Sequence, residues 1–218
     1  MISKNDLMEI IAKNFDKVKN GFLEILTFNT NNSSGFLYDF EEILNSIPDD
    51  KAYFKFRYSD YMESDPYYPF LNILKDYFSG KNSDEIELVL KKSNIYYTDY
   101  SLLLSYFQKS QSYRDEELIF HAKYEFSYEQ FKLFESIFNI LAYITETKPI
   151  VISLSNIQNI KESSVAFIKF LLKKNRLNLM LILFYETGAN TKNEKLWSEF
   201  LSILEKNQII MEYNFERD

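Results

Sequence analysis

A chain of 218 residues with a 46% hydrophobic share is long enough for one α/β domain and too apolar to be disordered. Its formal charge is -7 and it carries no Lys/Arg cluster of five or more, which argues against a phosphate-tracking nucleic-acid surface. Cysteine is absent, which excludes disulfides, Cys-ligated zinc and a thiol nucleophile.

The first residues, M-I-S-K-N-D-L, have no apolar signal core, and no run approaches ~18 apolar residues. The expectation is a cytoplasmic protein with no membrane partner. Only four Gly and four Pro occur, against average usage of ~7% and ~5%. Phosphate-cradling loops need Gly, so this scarcity constrains function.

In chain order, Ser3 with Asp6 reads as a capping pair opening a helix striped by Leu7, Ile10, Ile11, Phe15 and Val18, and Gly21 ends it. Phe22–Phe28 reads as a first strand. Asn29–Gly35 (N-T-N-N-S-S-G) reads as a polar turn. Phe36, Leu37, Phe40, Ile43, Leu44 and Ile47 recur at helical spacing. Ala52–Tyr58 alternates as a second strand, and Ser59–Tyr68 is a loop. Pro69 suits the first turn of a helix closed by Gly80.

Residues 82–126 form an irregular helical insertion between strands 2 and 3, with short helices near Asp84–Lys92 and Tyr100–Lys109 and a charged patch at Arg114–Glu117. Ser127 with Gln130 is a capping box before the cleanest helical stripe of the chain.

Pro149–Tyr185 then organises the rest. Ile150–Leu154 and Leu179–Tyr185 are apolar runs without polar alternation, as in strands buried on both faces. Between them lie a polar turn (Ser155–Lys161) and an amphipathic helix (Glu162–Lys174), making a βαβ unit. A helix at Leu196–Leu204 and a short strand at Gln208–Tyr213 complete a doubly wound, mostly parallel five-stranded α/β domain spanning 1–218. The polar turn after a parallel strand is where such a sheet normally carries its chemistry.

Laid out this way, the chain resembles the nucleotide-binding core of STAND-type AAA-like ATPases, a P-loop NTPase (ASCE) family. The strongest portion is Ser127–Tyr185, where Ile157, Gln158, Glu162 and Ser164 fit the family's L-Q-W-A-D-E-x-S pattern. The helix, Gly and first strand of Ser3–Phe28 and the aromatic-proline stretch Asp65–Phe70 also fit.

The departures fall on the chemistry. The family's phosphate loop, G-x-x-G-x-G-K-[ST], maps without a gap on Asn29–Phe36. Its glycines become Asn29, Asn32 and Ser34, its lysine Gly35, and its magnesium-binding hydroxyl Phe36. The two acids ending the third strand become Ser155 and Asn156, the later Asp becomes Lys161, and the Arg after the fourth strand becomes Glu186. Phosphoryl transfer rests on positioning and charge stabilisation by such groups. Loss of one oriented electrostatic group costs ~10²–10³ in rate, and here at least three are replaced.

What the resemblance implies is therefore a degenerate, catalytically inactive P-loop ATPase-like domain without intact Walker A or Walker B motifs. It would act as a regulatory or protein-interaction module, with no catalytic residues, no metal and no cofactor. Asn32, Ser33, Ser34 and Gly35 would be a vestigial phosphate loop. The alternative is an atypical ATP-binding NTPase or nucleotide-sensing domain, with ATP and magnesium held there. Family members carry a lid and a winged helix after the last strand, which the chain, stopping at Asp218, is expected to lack; a piece of a larger regulator is a further reading.

Other candidates carry less. His121, the only histidine, lies in no motif, and Asp60, Glu63 and Asp65 lack the Gly and spacing of a calcium loop. Arg114–Glu117 reads as a charged surface turn. Tyr58, Tyr61, Tyr67, Tyr68 and Phe70 read as core or compositional bias before interface. Ser33 and Ser34 read as a helix cap before an anion seat.

Overall fold

The computed structural model describes residues 2–47, 51–58, 69–108, 127–174, 176–186, 188, 191, 193–207 and 210–213. The expected loop at Ser59–Tyr68, the patch at Arg114–Glu117 and His121 lie outside these residues, as does the Ser127 side chain.

Thirteen elements follow in order among the described residues: α1 (Lys4–Lys19), β1 (Glu24–Thr30), α2 (Ser33–Ser46), β2 (Ala52–Arg57), α3 (Phe70–Phe78), α4 (Ser83–Lys92), α5 (Tyr97–Gln108), α6 (Ser127–Thr145), β3 (Ile150–Ser155), α7 (Glu162–Leu171), β4 (Leu179–Glu186), α8 (Glu194–Asn207) and β5 (Ile210–Tyr213). The five strands form one sheet in the order β2-β3-β4-β1-β5, and every pair is parallel. An α/β fold with a parallel sheet is thus what the apolar runs predicted.

The local causes are visible. Ser3 and Asp6 do cap α1: the Ser3 hydroxyl accepts the Asp6 N–H, and the Asp6 carboxylate accepts the Ser3 N–H at 2.7 Å. Gly21, at φ +91°, turns the chain out of that helix. β3 is buried along its whole length, as its unbroken apolar run requires.

Alternation along the strands divides the core in two. Val151, Met180, Ile182 and Phe184 face α1 and α2. Ile150, Ile152, Leu154, Leu179, Leu181 and Leu183 face the opposite side, where α3 to α8 pack, the helices at 83–108 among them. Trp197 of α8 lies edge-on to Tyr185 of β4, ring centres 4.9 Å apart.

The connection through α2 leaves β1 on one face of the sheet, and the one through α8 leaves β4 on the other. β1 and β4 are neighbours, so the crevice outside their carboxyl ends is the topological switch point of the sheet. No helix among the described residues is long and apolar enough to cross a membrane.

Candidate functional site

At the switch point the chain departs from the expected long polar turn. β1 continues to Thr30, because Asn29 and Thr30 pair with Tyr185 and Glu186 of β4 and with Glu212 and Tyr213 of β5. α2 starts at Ser33. Strand and helix therefore take six of the eight positions Asn29–Phe36, and only Asn31 and Asn32 link them.

The backbone donors of this link are consumed by the chain itself. Thr30 Oγ1 accepts the Asn32 N–H at 3.2 Å. Asn32 is the N-cap, its Oδ1 accepting the Gly35 N–H at 2.9 Å, while its carbonyl accepts the Phe36 N–H. The Ser33 N–H donates to Oε1 of Glu186 at 2.8 Å. Of the five N–H groups from Asn32 to Phe36, only that of the exposed Ser34 lacks a partner among the described residues. A carboxylate of the chain thus sits at the positive end of α2, the place where a helix attracts an anion.

Below it, Phe36 is fully buried. Its ring meets Phe28 at 4.9 Å, Phe184 at 4.8 Å and Tyr213 at 5.3 Å, and stacks over Phe40 at 6.2 Å. Offset and edge-on ring pairs of this kind add ~0.5–1.5 kcal/mol each to simple burial. The next turn of α2 holds a buried carboxylate, Asp39, which accepts from the Tyr213 hydroxyl and pairs with Lys4 at 3.0 Å. Burial first, then the Asp39 carboxylate, push the Tyr213 phenol well above its ordinary value.

Ser155 and Asn156 stand at the end of β3. The Ser155 hydroxyl donates to the Phe56 carbonyl at 3.2 Å, and Asn156 Nδ2 donates to the Tyr58 carbonyl at 3.3 Å. Both tie β3 to the exit of β2. Asn156 is left-handed (φ 55°, ψ 40°), a conformation its short polar side chain tolerates. Lys161 is the N-cap of α7 and makes no side-chain cap bond.

Between the head of α2 and the ends of β2 and β3 lies a cavity of about 240 Å³, lined by Ser33, Ser34, Leu37, Lys55, Phe56, Arg57, Ser153, Ser155 and Phe184. The sequence reading singled out Ser33, Ser34 and Ser155 but not Lys55, Arg57 or Ser153. The signal was the alternation of A-Y-F-K-F-R, which puts Tyr53, Lys55 and Arg57 on one face of β2. Glu186 was noted only as a changed Arg position; its contact with Ser33 needs the β4–β1 adjacency, which spacing does not reveal.

Among the described residues no group of three or more His, Asp or Glu side chains is arranged to hold a metal ion. In comparisons with known proteins, no family model and no curated protein sequence matches the chain.

Proposed function

We propose that the chain is a catalytically inactive P-loop ATPase-like domain, cytoplasmic, that works as a regulatory or protein-interaction module. The observation that carries this reading is the Glu186 carboxylate on the Ser33 N–H, at the helix end where a phosphate would bind. A triphosphate arriving there would meet a negative charge and donors already spent. Gly35 brings no cation to the position of the family's lysine, and Phe36 fills the position of the magnesium-binding hydroxyl with a buried ring. The residues present do not fit a magnesium-bound nucleotide.

The parallel sheet with β1 between β4 and β5, and the short turn opening α2, support the P-loop kinship. An interaction role is supported by apolar side chains exposed on α4 and at the start of α5: Leu88 is 50% and Tyr97 93% exposed, with Tyr96 beside it.

Titration with magnesium-ATP while following the melting temperature tests the reading. The expected outcome is no shift up to millimolar nucleotide. A shift of several degrees, lost when Asn32–Gly35 is altered, would sink it, because a ligand at ~100 times its Kd stabilises by ~2.7 kcal/mol.

A further inference from the structure

The opposite end of the sheet, where its strands begin, holds a larger cavity, of about 410 Å³. Three segments wall it. Asn20 to Phe22 lead from α1 into β1, Thr145 and Glu146 end α6, and Arg176 to Asn178 lead into β4. Phe22 and Arg176 form an antiparallel bridge that ties the first segment to the third. Asn178 ties in the second, its Nδ2 donating to the Thr145 carbonyl at 3.1 Å. The walls are thus set by bonds of the chain to itself, and the volume falls in the range of ~300–1,000 Å³ usual for ligand pockets.

The lining carries two charges, Glu146 and Arg176, both exposed. Among the described residues neither side chain makes a hydrogen bond or an ion pair, and they do not pair with each other. The last-turn lysines of α1 are answered, by contrast, Lys17 by Glu24 at 3.2 Å and Lys19 by Asp16 at 2.9 Å. Asn20 and Asn178 each commit Nδ2 to a helix carbonyl and keep an Oδ1 acceptor without a partner among the described residues. Both helices turn their carbonyl ends, the negative pole, toward this place. Apolar lining comes from Phe22, 51% exposed, with Ala142 and Leu177.

We propose that this cavity binds a small zwitterion of the α-amino-acid class with an apolar side chain. Its carboxylate lies on Arg176, its ammonium on Glu146 and the amide oxygens, and its side chain against Phe22. The selecting feature is a pair of opposite charges that line one cavity without meeting. Such a pair favours neither an anion nor a cation, because a singly charged ligand leaves one of the two unanswered. A ligand that carries both charges answers both. An arginine suits the carboxylate because its planar fork offers two parallel hydrogen bonds. The carbonyl ends of the helices add to the ammonium side. An aromatic side chain suits the Phe22 ring, since ring pairs gain more than their buried area supplies.

Phenylalanine is the probe, followed by amide chemical shifts in a titration of the whole chain. Saturable shifts at Gly21, Phe22, Leu177 and Asn178 are expected, with a Kd of about 1 mM for so few atoms. 3-Phenylpropionate keeps only the carboxylate and 2-phenylethylamine only the ammonium, and each binds about three- to tenfold more weakly. Two variants assign the contacts. R176Q weakens phenylalanine about three- to tenfold and does not weaken 2-phenylethylamine, which has no carboxylate to lose. E146Q weakens phenylalanine by a similar factor and does not weaken 3-phenylpropionate. Both side chains are exposed, so the variants fold, and an unchanged melting temperature verifies it. Absence of saturable shifts, a singly charged analogue binding as tightly as phenylalanine, or either substitution weakening the analogue that lacks its partner charge as much as phenylalanine would each overturn the proposal.

Discussion

Two strand-to-helix turns meet at the same edge of the sheet, and they are finished in opposite ways. The β1–α2 link is two residues long, and its helix end is capped by Asn32 and answered by Glu186. The β3–α7 turn runs from Asn156 to Lys161 around a single 3-10 turn, and its helix end has a lysine at the N-cap. There Gln158 Oε1, Asn159 Oδ1 and Ser163 Oγ are buried without a hydrogen-bond partner among the described residues. The contrast teaches that sealing a helix end is decided residue by residue and is not imposed by the fold. Both turns sit on parallel strands, yet among the described residues the first leaves one buried side-chain polar atom unmet, the Ser33 hydroxyl, and the second leaves three.

The contrast can be broken or sharpened by substitution. The largest effect is expected from Phe36→Ala, which empties the aromatic cluster under the sealed turn. It should cost about 3–5 kcal/mol. For a chain of this size that lowers the melting temperature by roughly 6–20 °C. A loss under about 1 kcal/mol in denaturant unfolding would mean that the cluster does not hold α2 in place.

Tyr213→Phe comes next, removing one of the two groups that answer the buried Asp39 carboxylate among the described residues, at a cost of about 1–3 kcal/mol. The same pair sets an alkaline limit. Tyr213 is raised by burial and by Asp39, and Lys4 is raised by hydrogen bonds to Glu42 and Asp39. Groups held protonated in the folded state contribute fully below their unfolded values and lose that contribution as pH rises. Stability should therefore fall as pH climbs above about 10, and less steeply in Tyr213→Phe.

The smallest effects separate the two turns directly. Asn32→Ala should destabilise by about 0.5–2 kcal/mol through the lost cap. Lys161→Ser supplies a missing cap and removes a cation from a positive helix end, so it should stabilise by about 0.5–1 kcal/mol. Equal losses from both, measured in parallel urea melts, would erase the distinction.

Much of the fold was legible because it rests on local rules. The Ser3–Asp6 cap, the βαβ unit and the double burial of β3 follow from residue types and spacing alone. The end of β1 was not legible. N-T-N-N-S-S carries turn propensities, but ladders to β4 and β5 on either side hold Asn29 and Thr30 extended, and a cap formed by Asn32 starts the helix early. Tertiary pairing overrode local preference there. The same reason hid Glu186. Glu186 meets Ser33 across 153 positions of sequence, a relation without a spacing signature, whereas the alternation of A-Y-F-K-F-R places Arg57 on its face of β2 and only the cavity it lines depends on the tertiary fold.

The contact between Trp197 and Tyr185 has a practical consequence. The chain contains one tryptophan, and its indole leans on the residue next to Glu186. Its fluorescence therefore comes from a single known position at the rim of the switch point. Any event that shifts the end of β4 changes the surroundings of that indole, so the protein carries a built-in optical reporter that needs no label.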